Sequence, residues 1–540
     1  MIERQIKKRI DLLIHGGLIY DGTNSEPYEG DIGISEDTIV FVNKKSRKKN
    51  FISKFNCSQT IYAKNYVVSP GFIDTHGHSE FTLLADPRAE GKLCQGVTTE
   101  INGNCGLSAA PLYGEAIKQR EHDLKEFDIK ERWLDLREYL NLLERRKIPL
   151  NFATLVGHGN IRASVIGYKD RKPLNNELEK MKTLLKKTIS EGAIGISTGL
   201  IYPPGVYADT EELIELTKSC RNHIYTTHMR SEGDKLLESI QETIRIGQES
   251  MIKVHISHIK TSGRKNWHKI DRMIEIIEEG RQKQIKISCD RYPYIASSTD
   301  LDSILPSWVF EGGFEKELER LKSSDIRNKI KKQLTTADNS DVFWKNIYIS
   351  SVSKGKNKWM EGKSLYSIAK HRSFDPVDML FELLIDEKLK VGAIFFSMDE
   401  ANLIRLLSLP YLTLGTDSSS RSTDGITRKG NPHPRGFGTF PKFLGKYVRD
   451  ESIMSLSEAI HKITLLPALI FKIHKRGILK KGAYADIVIF DAMKIKDRAT
   501  FEKPFLKPEG IYYVIVNGVP AVKDGEITGS RSGRILRNGK

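Results

Sequence analysis

Val67-Val68-Ser69-Pro70-Gly71-Phe72-Ile73-Asp74-Thr75-His76-Gly77-His78 is a short apolar run that ends in two histidines separated by one glycine. The run reads as a buried β-strand. In extended backbone, residues i and i+2 point the same way, so both imidazoles can converge on one metal ion. An HxH pair alone is weak evidence, because isolated histidines more often sit on the surface or satisfy a local hydrogen bond. Its weight depends on what the rest of the chain places beside it.

Counting 67–73 as the first, the sequence holds eight such runs, the others at 97–101, 152–156, 194–197, 224–227, 253–257, 285–288 and 411–415. Between most of them lie amphipathic stretches such as 177–191, where Leu178, Met181, Leu184 and Leu185 recur at helical spacing. Most strand–helix units are roughly 25–55 residues long, which suits a (β/α)8 barrel of the usual ~250 residues or more. The expected fold class is therefore α/β, a metal-dependent-hydrolase type of TIM barrel over 67–476. The gap between the seventh and eighth strands far exceeds one unit and holds a charged helical segment at 315–332, which predicts an inserted subdomain near 300–350. Residues 1–66 and 477–540 mix short apolar runs with turn signals such as Asp21-Gly22 and Asn517-Gly518. They predict one small β-sandwich formed from both chain ends.

Composition narrows the function classes. Of 540 residues, 39% are hydrophobic and 29% charged, enough apolar surface for a sizeable core and against disorder throughout. No apolar run approaches the ~18–20 residues of a membrane span. The stretch 10–14, interrupted by Asp11, is shorter than the ~7–15 residues of a signal-peptide core. The five cysteines, Cys57, Cys94, Cys105, Cys220 and Cys289, are scattered without a CxxC pair, so the expected compartment is the reducing cytoplasm. The formal charge of +16 comes from 85 Lys+Arg against 69 Asp+Glu. It sits in solvated runs such as Arg47-Lys48-Lys49 and Lys480-Lys481, and a basic tail is expected at 534–540. None of these runs is interleaved with aromatics or set in a nucleic-acid-binding motif, so no nucleic-acid partner is expected.

The chemistry gathers at strand ends. His228 closes the fifth run and His258 the sixth, thirty positions apart, about one strand–helix unit, so both reach the same face. Asp417 follows the eighth run. Cys105 lies past the second, in Asn102-Gly103-Asn104-Cys105-Gly106, where the glycines and polar residues indicate a tight loop presenting the thiol. Barrel active sites lie at the C-terminal ends of the strands. Imidazole and thiolate are zinc ligands, and a carboxylate can bind metal or deprotonate its water. Six metal-competent side chains (His76, His78, Cys105, His228, His258 and Asp417) at one end are difficult to explain as packing. His158, in Gly157-His158-Gly159 after the third run, is placed to support the same face.

These residues resemble those of the amidohydrolase superfamily of metal-dependent hydrolases. More narrowly, the chain resembles the N-acyl-D-amino-acid deacylases (D-aminoacylases). The resemblance is carried by 71–78, 103–106, 192–200, Thr227-His228-Met229-Arg230-Ser231-Glu232, Asp290-Arg291-Tyr292-Pro293-Tyr294 and, most characteristically, His433-Pro434-Arg435-Gly436-Phe437-Gly438-Thr439-Phe440-Pro441. It extends from about residue 10 to about residue 525. It implies a zinc-dependent hydrolase that cleaves the amide of a small-molecule N-acyl-D-amino acid to a carboxylate and a free D-amino acid. It implies that Cys105, His228 and His258 hold a tightly bound Zn2+, that His76 and His78 contribute a second, weaker site, and that Asp417 is the catalytic acid/base. It also implies that Tyr202, Lys260, Tyr292, Ser298 and Arg428 hold the substrate's carboxylate or orient its amide. Members with a bridging carbamylated lysine carry it at the end of the fourth strand. Here that place reads Ser197-Thr198-Gly199, which argues against the hydantoinase and dihydroorotase branches. The nearest alternative is another amidase of the superfamily, acting on a cyclic amide or a dipeptide. A non-catalytic scaffold would be free to lose its ligands, and all six remain.

Overall fold

The structure is a computed structural model and describes residues 8–44, 55–336 and 341–538. The basic run Arg47-Lys48-Lys49 and the last two residues of the expected basic tail lie outside the described residues. Eight parallel strands make up the centre: β1 (Phe72–Asp74), β2 (Val97–Asn102), β3 (Asn151–Thr154, continued by Val156–Gly157), β4 (Gly195–Gly199), β5 (Ile224–His228), β6 (Lys253–Ile256), β7 (Ile287–Arg291) and β8 (Leu412–Leu414). Neighbours pair in chain order. The ring closes where Thr75 N–H donates to Leu414 O at 3.2 Å and Asp417 N–H to His76 O at 2.8 Å. These strands are buried almost throughout because helices cover them on the outside. The helix Asn175–Ser190 is one such cover, burying Met181, Leu185 and Ile189 on one face.

The first apolar run is split between two layers. Val67–Pro70 is not a barrel strand; it pairs with Lys8–Ile19 and with Ile487–Phe490 in the sheet built from the chain ends. The chain passes into the barrel at Gly71, where a Cβ would come within 2.1 Å of Thr98 Oγ1. The expected boundary at 66/67 therefore falls beside a strand of the outer sheet, because a run apolar on both faces suits either layer. The ends themselves form one hydrogen-bonded nine-stranded sheet. It branches at Lys8–Ile19, whose first half pairs with Phe55–Tyr62 and second half with Val67–Pro70. Leu12, Ile34 and Ile39 from one end pack with Ile487, Ile489 and Ile515 from the other.

The insertion follows β7. Ala296–Asp300, Ile347–Val352 and Val391–Phe396 form an antiparallel three-stranded sheet. Its separate core runs from Leu301 to Ala393, past the expected end near 350. The helix Pro376–Asp386 supplies Val377, Leu380, Phe381 and Leu384 to that core, so the later residues are needed to close it.

The tail does not behave as a solvated basic segment. Phe152 N–H donates to Arg534 O and Leu536 N–H to Phe152 O, both at 2.8 Å, while Arg534 pairs with Asp37 and Arg537 with Glu144. Leu536 packs with Phe471 and Ile224 across the N-terminal ends of the strands, sealing the face opposite the histidines. The apolar pair Ile535-Leu536 inside the basic run is what anchors it.

Candidate active site

All six metal-competent side chains lie at the C-terminal ends of the barrel strands. His76 and His78 follow β1 on the segment 75–78, kept close to β2 because the intervening Gly77 lets Glu100 approach to where a Cβ would sit 2.1 Å from Oε1. Cys105 follows β2, His228 ends β5, His258 lies two residues beyond β6, and Asp417 three beyond β8. Cys105 (φ +53°), His258 (+33°) and Asp417 (+48°) all adopt positive φ, a sparsely populated region for non-glycine residues. Such backbone persists when surrounding contacts over-determine it. Here the His258 N–H is fixed by Asp290 Oδ1 at 2.8 Å and the Asp417 N–H by His76 O.

The side chains converge. His76 Nε2 lies 3.3 Å from Cys105 Sγ, and Cys105 Sγ lies 3.5 Å from His258 Nε2. The His228 and His258 ring centroids are 4.4 Å apart. Asp417 Oδ1 faces His78 Nε2 at 3.3 Å and His76 Nε2 at 3.6 Å. Burial pushes the Cys105 thiol up, but His76 and His258 beside it hold it well below its ordinary value, so the thiolate is favoured. Both ring nitrogens of buried His228 have no hydrogen-bond partner among the described residues. A buried imidazole with an orphaned acceptor beside a thiolate and two further imidazoles is a donor set that suits zinc. His76, Cys105 and His258 form one possible ligand group, His76, His78 and Asp417 a second, and His228, Glu232 and His258 a third.

Three supporting residues carried no role in the sequence reading. Asp290, at the end of β7, accepts from His255 Nε2 at 2.9 Å and lies 3.2 Å from His76 Nδ1 while also holding the His258 backbone. One carboxylate thereby orients two candidate ligands. Glu232 lies 2.8 Å from His258 Nδ1, 3.8 Å from His228 Nε2, and pairs with Lys260. Arg435 Nη1 lies 2.9 Å from Asp417 Oδ2. Burial alone would raise the Asp417 carboxyl, but Arg435 and then His258 hold it well below the usual carboxylate range. Arg435 is itself placed by His433, which accepts the Arg435 N–H on Nδ1 and donates Nε2–H to Ala296 O, both at 3.0 Å. That pattern fixes a neutral imidazole, and burial with Arg435 keeps its pKa well below the ordinary value. The available signal was position: a carboxylate four residues after His228, another at a strand end, and an arginine inside the His433 block.

The remaining sequence candidates line one cavity of about 2070 Å3 above the cluster. Lys260, 3% exposed, reaches His258 Nδ1 at 2.9 Å. The Tyr202 ring stacks edge-on at 5.0 Å from His228, and its hydroxyl meets Thr299 Oγ1 at 3.0 Å. Tyr292 is fully buried with the Arg435 guanidinium 4.6 Å from its ring centroid, and its hydroxyl has no partner among the described residues. Ser298 donates its hydroxyl to Ala393 O at 2.9 Å. Arg428 borders the cavity with its guanidinium 5.3 Å from the Phe505 ring and makes no contact with the ligand cluster among the described residues. His158 does not join the group: its Nε2 lies 2.8 Å from Glu212, which also binds Arg162, so it packs a helix against the barrel wall.

Comparison with known proteins points to one family. The model of the amidohydrolase family matches residues 59–229 and 418–522. The chain is 33% identical over 528 residues to a D-aminoacylase of Alcaligenes xylosoxydans xylosoxydans, covering 97% of each chain. Among solved structures it is similar to the N-acyl-D-glutamate deacylase of Bordetella bronchiseptica complexed with zinc and a phosphonate mimic of the tetrahedral intermediate (29% identity, TM-score 0.81, 98% of this chain and 100% of that one). It is equally similar in fold to a D-aminoacylase whose binuclear metal centre is described as activated by one metal and attenuated by a second (32% identity, TM-score 0.81, 98% and 100%).

Proposed function

The chain belongs to the amidohydrolase family, in the branch of the D-aminoacylases, and from that premise we propose that it hydrolyses the amide bond of N-acyl-D-amino acids. The products are a carboxylate and a free D-amino acid. One observation carries the reading: a buried thiolate set between His76 and His258, with Asp417 facing His76 and His78 from the end of the neighbouring strand. By the family resemblance Cys105, His228 and His258 would hold one zinc ion, and His76 and His78 with Asp417, which lie together, a second, weaker one. Bound zinc supplies Lewis acidity, polarising the scissile carbonyl and bringing the pKa of a water down toward ~7.

The chain's own residues do the rest. Asp417, kept ionised by Arg435, takes a proton from the attacking water and returns it to the leaving nitrogen. Lys260 and Arg428 provide positive charge for the substrate's carboxylate, with the Tyr292 hydroxyl free to hydrogen-bond it and Tyr202 and Ser298 bounding the same space. A small molecule is the fitting partner of such a cavity. No helix among the described residues is long and apolar enough to cross a membrane, and all five cysteines are unpaired, which supports a reducing, cytoplasmic setting.

The test is a chiral panel with metal analysis on the purified protein: N-acetyl-D-methionine, its L-enantiomer and a hydantoin. Turnover of the D-acyl compound, with zinc bound, is expected. Preference for the hydantoin or the L-compound would replace this reading with another branch of the family.

A further inference from the structure

The cavity lining carries both signs of charge. Arg421, Arg428 and Lys429 border it, as do Asp300, Asp302 and Glu317. In a chain of net charge +16 most carboxylates find a cation, yet none of these three has an ion-pair partner among the described residues. The nearby cations are engaged elsewhere: Arg120 with Asp123, and Lys429 with Glu126, while Lys125 pairs with none of the three. Glu317 is 5% exposed, and its Oε1 has no hydrogen-bond partner although the residue lines the cavity. The fold holds these acids together from two elements, the turn after the strand Ala296–Asp300 and the helix Phe314–Lys322.

Their position relative to the chemistry is fixed by the strand. Thr299 touches the Tyr202 hydroxyl at 3.0 Å, Tyr202 packs on His228, and Asp300 is the next residue outward. Rings of Tyr168, Phe310 and Phe314 border the same part of the cavity. Apolar walls ending in uncompensated carboxylates suit an aliphatic stem that ends in a cation. Burial, reinforced by repulsion from Asp302, raises Glu317 to about 9, a cost that a bound cation would relieve.

We propose that this corner is the side-chain subsite and that it selects N-acyl-D-amino acids with a cationic side chain, such as N-acyl-D-lysine or N-acyl-D-arginine. The inference rests on the deacylase reading above and adds the substrate class. One cavity lining then offers groups for both charges of the substrate, its carboxylate and its ammonium or guanidinium. An acidic D-side chain would gain no opposite charge from these acids and would be disfavoured.

The experiment compares kcat/KM of the zinc-loaded protein for N-acetyl-D-lysine, N-acetyl-D-norleucine and N-acetyl-D-glutamate. The lysine compound is expected to exceed norleucine, its uncharged counterpart, by about tenfold, and glutamate by about a hundredfold. Asp300→Asn, at an accessible position, should bring the lysine-to-norleucine ratio to within about threefold of one. Glu317→Gln serves as the second variant. A native enzyme that prefers norleucine or glutamate, or a ratio that both variants leave unchanged, overturns the proposal. If none of the three is hydrolysed, the deacylase reading fails instead. Titration calorimetry of the same three compounds into the zinc-loaded Asp417→Asn protein then decides the subsite by itself, and binding of N-acetyl-D-lysine no tighter than norleucine sinks it.

Discussion

Arg435 Nη1 lies 2.9 Å from Asp417 Oδ2, so the carboxylate assigned the proton transfers is held by a guanidinium from a different element of the chain. Arg435 begins the helix Arg435–Lys442, and Asp417 follows the eighth barrel strand. The pairing ties the base to the helix as firmly as to its own loop.

Asp417→Asn is expected to lower kcat by about 10²–10⁴-fold, the range for a lost general acid/base. Arg435 acts through Asp417, so Arg435→Met should lower kcat by about tenfold to a hundredfold, the range for losing the attraction of a close charge pair. Arg435→Lys should recover part of that loss. Steady-state kinetics on the three variants checks this. Unchanged kcat in Arg435→Met would show that the pair has no bearing on turnover.

Beneath the site, Lys92 is fully buried with Nζ 2.7 Å from Asp74, 2.9 Å from Glu100, 2.6 Å from Thr416 Oγ1 and 2.8 Å from Ser418 O. Asp74 in turn receives the His76 N–H at 3.1 Å. Lys92→Met leaves two buried carboxylates against one another, and should cost about 3–5 kcal/mol in urea denaturation. A loss under 1 kcal/mol would mean the network relaxes or takes up water.

The acidic corner gives stability a pH dependence. Burial first, then Asp302 and Asp300, raises Glu317 to about 9, with Arg320 opposing weakly. Asp302 rises to about 6, also chiefly through burial. Raised folded-state values mean that the native state binds more protons than the unfolded chain, whose acids titrate near ~4. Stability should therefore fall as pH climbs from about 4 toward about 9. Glu317→Gln removes part of that slope, raising Tm at about pH 8.5 more than at about pH 5. Thermal melts across that range test it, and an equal shift at both ends would contradict it.

Removing residues from Ser532 onward deletes four backbone hydrogen bonds to the barrel floor: Gly533 N–H to Ile148 O, Phe152 N–H to Arg534 O, Leu536 N–H to Phe152 O, and Asn538 N–H to Gly192 O. At about 1 kcal/mol each, the loss should be about 4 kcal/mol, with KM and kcat largely retained because the site lies on the opposite face. A truncated protein with native Tm would show that the floor closes without the tail.

The barrel was legible because its strands recur as short, wholly buried runs rich in β-favouring residues, as in Val97–Asn102 and Ile224–His228. Ligand types at strand ends were legible for the same reason, since the strand fixes where its end points. What sequence hides is coupling between distant segments. Val67–Pro70 looks like part of the first barrel strand until its partner Ile487–Phe490 is in place. Asp300 and Asp302 look like loop acids, and Glu317 like the polar face of a charged helix, until the insertion folds. Arg435 stood inside a quoted motif, but its role depends on where the helix start lies relative to Asp417. The tail's basic charge concealed two apolar residues that do the anchoring.

The short strand Ile487–Phe490 sits between Val67–Pro70 and Ile511–Val516, so one of its neighbours is made early and the other late in synthesis. Until the whole barrel and its insertion have emerged, Val67–Pro70 presents an unpaired edge that is apolar on both sides. Closing that gap is a contact of very high sequence separation, the kind that slows folding and exposes intermediates to aggregation. Recombinant yield should therefore respond to slower synthesis, lower temperature or chaperone supply, even when no substitution touches the catalytic face.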